Sequence, residues 1–145
     1  MRFIDMIKET AAVCSRADCR KAGILATEGT IKTGLYSKAL LEYGIEPVIL
    51  SGESQKIVND IIYSYIKAGV MPEYSMFEQV YADLKNKGAN KIILACTELS
   101  LLSKHFRLGG DFIDAMEILA CRSIEKCGKK PIGFDGILLD QTLPN

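Results

Sequence analysis

Lys91-Ile92-Ile93-Leu94-Ala95-Cys96-Thr97-Glu98 decides how this chain is read. Its apolar run is unbroken, whereas a strand with one wet face would alternate. An unbroken run fits a strand buried on both sides, as in a parallel sheet. The run stops at three residues that carry chemistry: a thiol, a hydroxyl and a carboxylate. Working outward, Ala22-Gly23-Ile24-Leu25-Ala26 reads as a similar short buried strand. It leads into Thr27-Glu28-Gly29-Thr30, read as a loop of small and polar residues. Pro47-Val48-Ile49-Leu50 is a third strand candidate and Phe112-Ile113 a brief fourth.

Helical spacing fills the gaps between these runs. Ile4, Ile7, Ala11 and Cys14 predict a helix from Phe3 to about Ala17. Ile31, Leu35, Ala39 and Leu40 predict a single helix that Gly44 ends. Ser51-Gly52-Glu53-Ser54 offers an N-cap for a stripe of Ile57, Val58, Ile61, Ile62, Tyr65 and Ile66, which closes at Gly69. Pro72 starts another helix, with Phe77, Val80, Tyr81 and Leu84 inward and Gly88 as its stop. Leu99 to His105 reads as a short helix or turn, and Asp114 to about Cys127 as the last helix, before an irregular tail to Asn145. Strand and helix alternate through short connections, so the fold class is α/β, a parallel sheet flanked by helices. Ligands in such sheets gather at the carboxyl ends of strands. Two segments qualify: Thr27 to Thr30, and Cys96 to Glu98.

Composition narrows the function. The 145 residues suffice for one domain, 1–145, with a hydrophobic core. The 18 basic and 18 acidic residues cancel, so charge does not point to nucleic acid or an anionic membrane as partner. The longest apolar runs fall well short of the roughly 20 residues that span a bilayer. The charged start of the chain does not resemble a signal peptide, and a cytoplasmic location is the expectation. Five cysteines cannot all pair, and with one histidine and no C-x-x-C spacing no metal site is expected. Free thiols follow. Cys96 stands out among them, because a helix start just after it offers amides that would acidify the thiol. A thiolate can act as a general base and a thiol as a general acid. A buried structural role is the competing reading. Thr27 and Thr30 lie where a carboxylate is well received, and Thr30 is equally readable as a helix cap. Lys67, by its place in the chain, complements the dipole at its helix end. Thr97 either meets ligand or caps the next turn. Glu98 either orients a ligand ammonium or tunes Cys96, or is a plain surface carboxylate. The tyrosines at 63, 65, 74 and 81 fall on helical stripes and read as packing.

The segment Lys91 to Leu99 resembles the second cysteine motif of the aspartate/glutamate racemase superfamily, in which an apolar strand ends in Cys-Thr-Glu. Gly23 to Thr30, followed by Gly34-Leu35-Tyr36, is similar to the loop after the first strand of that half. Ile61 to Gly69 resembles a third block and Asp111 to Ala120 the closing one. Four blocks in order cover most of 22–120. Glutamate racemases commonly carry histidine at the position of Glu98, so the resemblance points to the aspartate racemase branch or to broad-specificity relatives.

The resemblance implies an enzyme without pyridoxal phosphate or other cofactor. Two thiols on opposite faces of a small amino acid, or a related dicarboxylate, move the α-proton. Cys96 would be the catalytic thiol here, with Thr27, Thr30, Lys67, Thr97 and Glu98 binding substrate. It also implies two similar domains with the site between them, the first supplying a cysteine followed by Asn-Thr. That triplet does not occur in this sequence. Cys14 and Cys19 precede the first strand and do not replace it. The expectation is therefore a carboxyl-terminal domain without the first catalytic domain, poorly active alone. It would associate with itself, as a dimer for instance, or with a first-domain partner. Two alternatives stay open: a non-catalytic carboxylate-binding or assembly module, and a single-cysteine decarboxylase or isomerase of the same superfamily.

Overall fold

The structure, a computed structural model, describes residues 3–134. The tail read as irregular lies largely outside them. The chain runs α1 (Met6–Arg16), β1 (Lys21–Leu25), α2 (Glu28–Thr33), α3 (Leu35–Glu42), β2 (Glu46–Val48), α4 (Gly52–Asp60), α5 (Tyr74–Asn86), β3 (Lys91–Leu94), α6 (Thr97–Phe106), β4 (Phe112–Asp114) and α7 (Ala115–Lys126). The four strands form one sheet in the order β2-β1-β3-β4, and every pairing is parallel. The α/β architecture and the parallel sheet agree with the sequence reading.

The two central strands are buried on both faces, which explains their unbroken apolar runs. Successive side chains serve opposite layers. Ile24, Ala26, Ile93 and Ala95 pack with Val13, Cys14, Leu40 and Ile118 under α1, α3 and α7. Leu25, Ile92 and Leu94 pack with Val58, Ile62, Phe77, Val80 and Leu84 under α4 and α5. Gly23 has a specific reason to lack a side chain. A Cβ there would stand 2.8 Å from Cδ1 of Leu84. Strand β1 and helix α5 can approach as they do only because that atom is missing.

Three expectations need correction. Thr27 to Thr30 is not a loop. Thr27 caps α2, which begins at Glu28. The single helix expected through Ile31, Leu35, Ala39 and Leu40 is two helices. Gly34 sits between them at φ +66°, a left-handed conformation that glycine adopts without steric cost. The break turns Leu35 outward to 52% exposure. The helix expected to run evenly to Gly69 changes character after Asp60. It widens into a π turn over Ile61–Tyr65, then tightens into a 3-10 turn over Ile66–Ala68 before Gly69 at φ +78°. Among the tyrosines read as packing, Tyr63 and Tyr74 are exposed.

Candidate functional site

Parallel pairing decides what meets at the ligand edge. Leu25 lies opposite Leu94, and the Ala95 amide donates to the Leu25 carbonyl at 2.8 Å. The chain therefore leaves β1 and β3 side by side, about one strand spacing of 4.8 Å apart. Ala26-Thr27 departs from one exit and Cys96-Thr97 from the other. On the far side of β3, Leu94 lies opposite Asp114, the last residue of β4. These exits put the two segments singled out in the sequence on one edge.

Cys96 is the N-cap residue of α6, with extended backbone at φ −149° and ψ 160°. It is half-buried. The expectation that the helix start acidifies its thiol is wrong in direction. Burial above all, together with the neighbouring charge of Glu98, pushes the thiol up to about 11, while the amides of Leu99 and Glu98 pull the other way. Desolvation outweighs the amides because the sulfur packs against the apolar layer under α4 and α5. At neutral pH the group is a protonated thiol. It is ready to give a proton, and taking one requires that its anion first be stabilised.

Glu98 lies beside it in the first turn of α6. The Thr97 hydroxyl donates to Glu98 Oε2 at 2.8 Å, and Lys67 Nζ is 3.8 Å from Glu98 Oε1. The Thr97 hydrogen bond first, and the Lys67 charge among the rest, hold the Glu98 carboxyl below the usual carboxylate range. Lys67 also lies 4.6 Å above the ring of Tyr63, a cation–π contact. The π turn lies between Asp60 and Ile66, so the register that places Lys67 beyond it differs from that of an even α-helix. The structure thus joins Cys96, Thr97, Glu98 and Lys67, and it adds Tyr63.

On the β1 side, Thr27 Oγ1 accepts from the Thr30 amide at 3.3 Å, and the two hydroxyls are 3.0 Å apart. Thr27, rather than Thr30, is therefore the helix cap. Asn59 Oδ1 accepts from the Glu28 amide at 3.3 Å and from Gln55 Nε2 at 3.1 Å, and Gln55 Nε2 also donates to the Ala26 carbonyl at 3.0 Å. Two of the first amides of α2 are thus taken by protein, and the anion cradle expected there is narrower than the sequence suggested. Gln55 and Asn59 went unnoticed in the sequence. Their one signal is a pair of amides spaced i, i+4 on the polar side of α4.

The other cysteines lie elsewhere. Cys14 and Cys19 are buried at the end of α1 and just before β1, at the opposite edge of the sheet. An open groove of about 400 Å³ is lined by other residues. It lies between α5, the end of α6 and the turn into β4, lined by Tyr74, Phe77, Phe106, Arg107, Asp111 and Phe112. It contains none of the residues singled out as a site.

Residues 3–122 match the Asp/Glu/hydantoin racemase family. The chain belongs to that family. Within it, the chain is 27% identical over 110 residues to the glutamate racemase of Limosilactobacillus reuteri (strain DSM 20016), a match that covers 74% of this chain and 40% of that protein. It is 32% identical over 125 residues to the uncharacterised protein of the pnlA 3′ region of Pectobacterium carotovorum subsp. carotovorum, covering 85% of this chain and 83% of that one. Among solved structures, it superposes on the Picrophilus torridus aspartate racemase with a TM-score of 0.68 and 28% identity, over 90% of this chain and 55% of that one. An aspartate racemase homologue from Pyrococcus horikoshii OT3 gives a TM-score of 0.75 and 26% identity, over 87% and 56%. The chain thus spans about half the length of the racemase family members it resembles, and most of the length of the Pectobacterium protein.

Proposed function

We propose that this chain carries the carboxyl-terminal half-site of a cofactor-independent amino-acid racemase, with aspartate as substrate. The carrying observation is Cys96 at the end of β3, beside the β1 exit and within the Thr97–Glu98–Lys67 cluster. In this reading an opposing thiolate on a first domain takes the α-proton. A sulfur–hydrogen bond forms as the carbon–hydrogen bond breaks, and the electron pair is held by the α-carbon and its carboxylate. The Cys96 thiol then gives its proton to the other face, and the stereocentre inverts. The reverse direction exchanges the roles. A protonated Cys96 at neutral pH suits the donating step. Lys67 meets the distal carboxylate, Thr27, Thr30 and Thr97 face the α-carboxylate, and Glu98 orients the ammonium. The charge that develops on the carboxylate is stabilised by hydrogen bonds aimed at it.

The opposing cysteine belongs to a first domain, and residues 1–145 by themselves interconvert D- and L-aspartate very slowly. Exchange of the aspartate α-proton in deuterated water, followed by NMR, tests this. Addition of a first-domain protein bearing the other cysteine is expected to speed exchange, and Cys96→Ser to abolish it. Exchange unaffected by Cys96→Ser would refute the reading. Aspartate binding with no exchange in either setting would favour a carboxylate-binding module instead.

A further inference from the structure

Four side chains recur at every fourth residue from α4 into the turns that follow it: Gln55, Asn59, Tyr63 and Lys67. Side chains so spaced are neighbours on one helix face. Contacts join them at both ends. Gln55 Nε2 is 3.1 Å from Asn59 Oδ1, and Lys67 Nζ lies 4.6 Å from the centre of the Tyr63 ring. The face starts at the β1 exit, where Gln55 and Asn59 hold Ala26 and Glu28. It ends at the β3 exit, where Lys67 meets Glu98. It therefore reaches both exits that carry the candidate site.

Most donors near the β1 exit are spent inside the protein. Gln55 uses both N–H bonds of its amide, one on the Ala26 carbonyl at 3.0 Å and one on Asn59 Oδ1. Asn59 Oδ1 accepts twice, from Gln55 and from the Glu28 amide at 3.3 Å. Those two bonds fix the Asn59 amide and turn its NH2 group away from both donors. Among the described residues that NH2 group has no hydrogen-bond partner. Asn59 is half-buried, so a ligand can reach it. Thr27 and Thr30, beside Glu28, also hold a donor in reserve. Thr27 Oγ1 accepts from the Thr30 amide, and the two hydroxyls are 3.0 Å apart. One hydroxyl proton lies between them and the other is left for a ligand. Gln55 Oε1, an acceptor without a partner among the described residues, is buried out of a ligand's reach. What the β1 exit offers is donors, and the group that answers them is a carboxylate.

We propose that Asn59 is a substrate-binding residue: its NH2 group donates to the α-carboxylate of an amino-acid substrate, beside the free hydroxyl of the Thr27–Thr30 pair, while Gln55 and the Glu28 amide hold it in place. This deepens the racemase half-site reading and rests on it for the choice of ligand.

Asn59→Asp separates the two roles of the side chain. Its carboxylate still accepts from Glu28 and Gln55, so the β1 exit stays braced, but the two donors give way to an anionic oxygen. The ¹⁵N-labelled chain is titrated with L-aspartate at neutral pH and followed by NMR. The Asn59 side-chain amide is expected to shift as the ligand binds. Asn59→Asp should weaken binding, read at the Thr27 and Thr97 backbone amides, by about tenfold or more, with little change in thermal midpoint. Equal affinity in Asn59→Asp overturns the proposal, because bracing alone survives that change. If the variant does not fold, the wild-type titration decides: an Asn59 amide that stays put while Thr27 shifts overturns it, and so does the absence of any shift. β-Alanine keeps the ammonium and distal carboxylate of aspartate and lacks the α-carboxylate. It should leave the Asn59 amide in place, and a shift equal to that with aspartate also overturns the proposal. Asn59-dependent binding without α-proton exchange, even with a first domain added, keeps this contact and sinks the racemase reading. Exchange that Asn59→Asp leaves unchanged does the reverse.

Discussion

Cys96 shows how two local effects compete at one atom. The helix start favours its anion, and burial with Glu98 favours the neutral thiol; burial prevails. Wild-type alkylation of Cys96 is therefore expected to climb through the alkaline range toward a midpoint near 11 rather than the ordinary thiol value of 9.0. Glu98→Gln removes a like charge and a carboxylate acceptor, so it should bring that midpoint down. The same titration measures both, and a midpoint that stays put in the variant would remove Glu98 from the site's electrostatics. The shift also has a sign for stability. A thiol whose folded value is raised contributes stability that is complete below its unfolded value, and that contribution is lost as pH rises through about 11. Thr27 acts at the same scale. Thr27→Val removes the cap on the Thr30 amide and should cost about 1 kcal/mol in urea unfolding.

At the scale of elements, the contact between β1 and α5 is set by a missing side chain. Gly23→Ala drives a methyl to 2.8 Å from Leu84 Cδ1, and the expected loss is about 1–3 kcal/mol. Trimming the partner relieves the clash, so Gly23→Ala with Leu84→Val should cost less than the two single changes added together. Simple additivity in denaturant melts would show that the strand and helix can part without strain. Gly34 plays another role. Its surroundings are open, but φ +66° strains any other residue, so Gly34→Ala should destabilise by about 1 kcal/mol through the backbone alone. The break at Gly34 was hidden in the sequence because helical spacing continues across it from Ile31 to Leu40. The π turn was hidden for the same reason. Its apolar residues satisfy a helical stripe, and Ile61 and Ile62 are buried within it. The doubly buried strands were legible because burial on both faces leaves a continuous apolar run.

Across the whole molecule, the first and last helices are joined by a charge that composition does not reveal. Arg122 on α7 is 4% exposed, with Nε 3.0 Å from Glu9 on α1 and Nη1 2.7 Å from Glu125. Arg122→Ala leaves two carboxylates facing each other across that contact. Full burial of an orphaned partner costs about 3–5 kcal/mol, and because the glutamates keep some water contact the expected loss is about 2 kcal/mol. Arg122→Met with Glu9→Gln and Glu125→Gln should recover most of it. Thermal unfolding of both variants checks this, and an unaffected Arg122→Ala would mean that the helices are held by their apolar contacts alone.

By itself the sequence determined the α/β class, the two central strands and the position of Cys96 where an apolar strand gives way to a helix. Those features are written in local periodicity and in adjacent residues. The tertiary structure decided that Thr27 and Cys96 leave the sheet side by side, that Lys67 meets Glu98 and Tyr63, and that the thiol holds its proton. The reason is physical. Desolvation and ion pairing sum over groups brought together from distant parts of the chain, and no spacing along it records that sum.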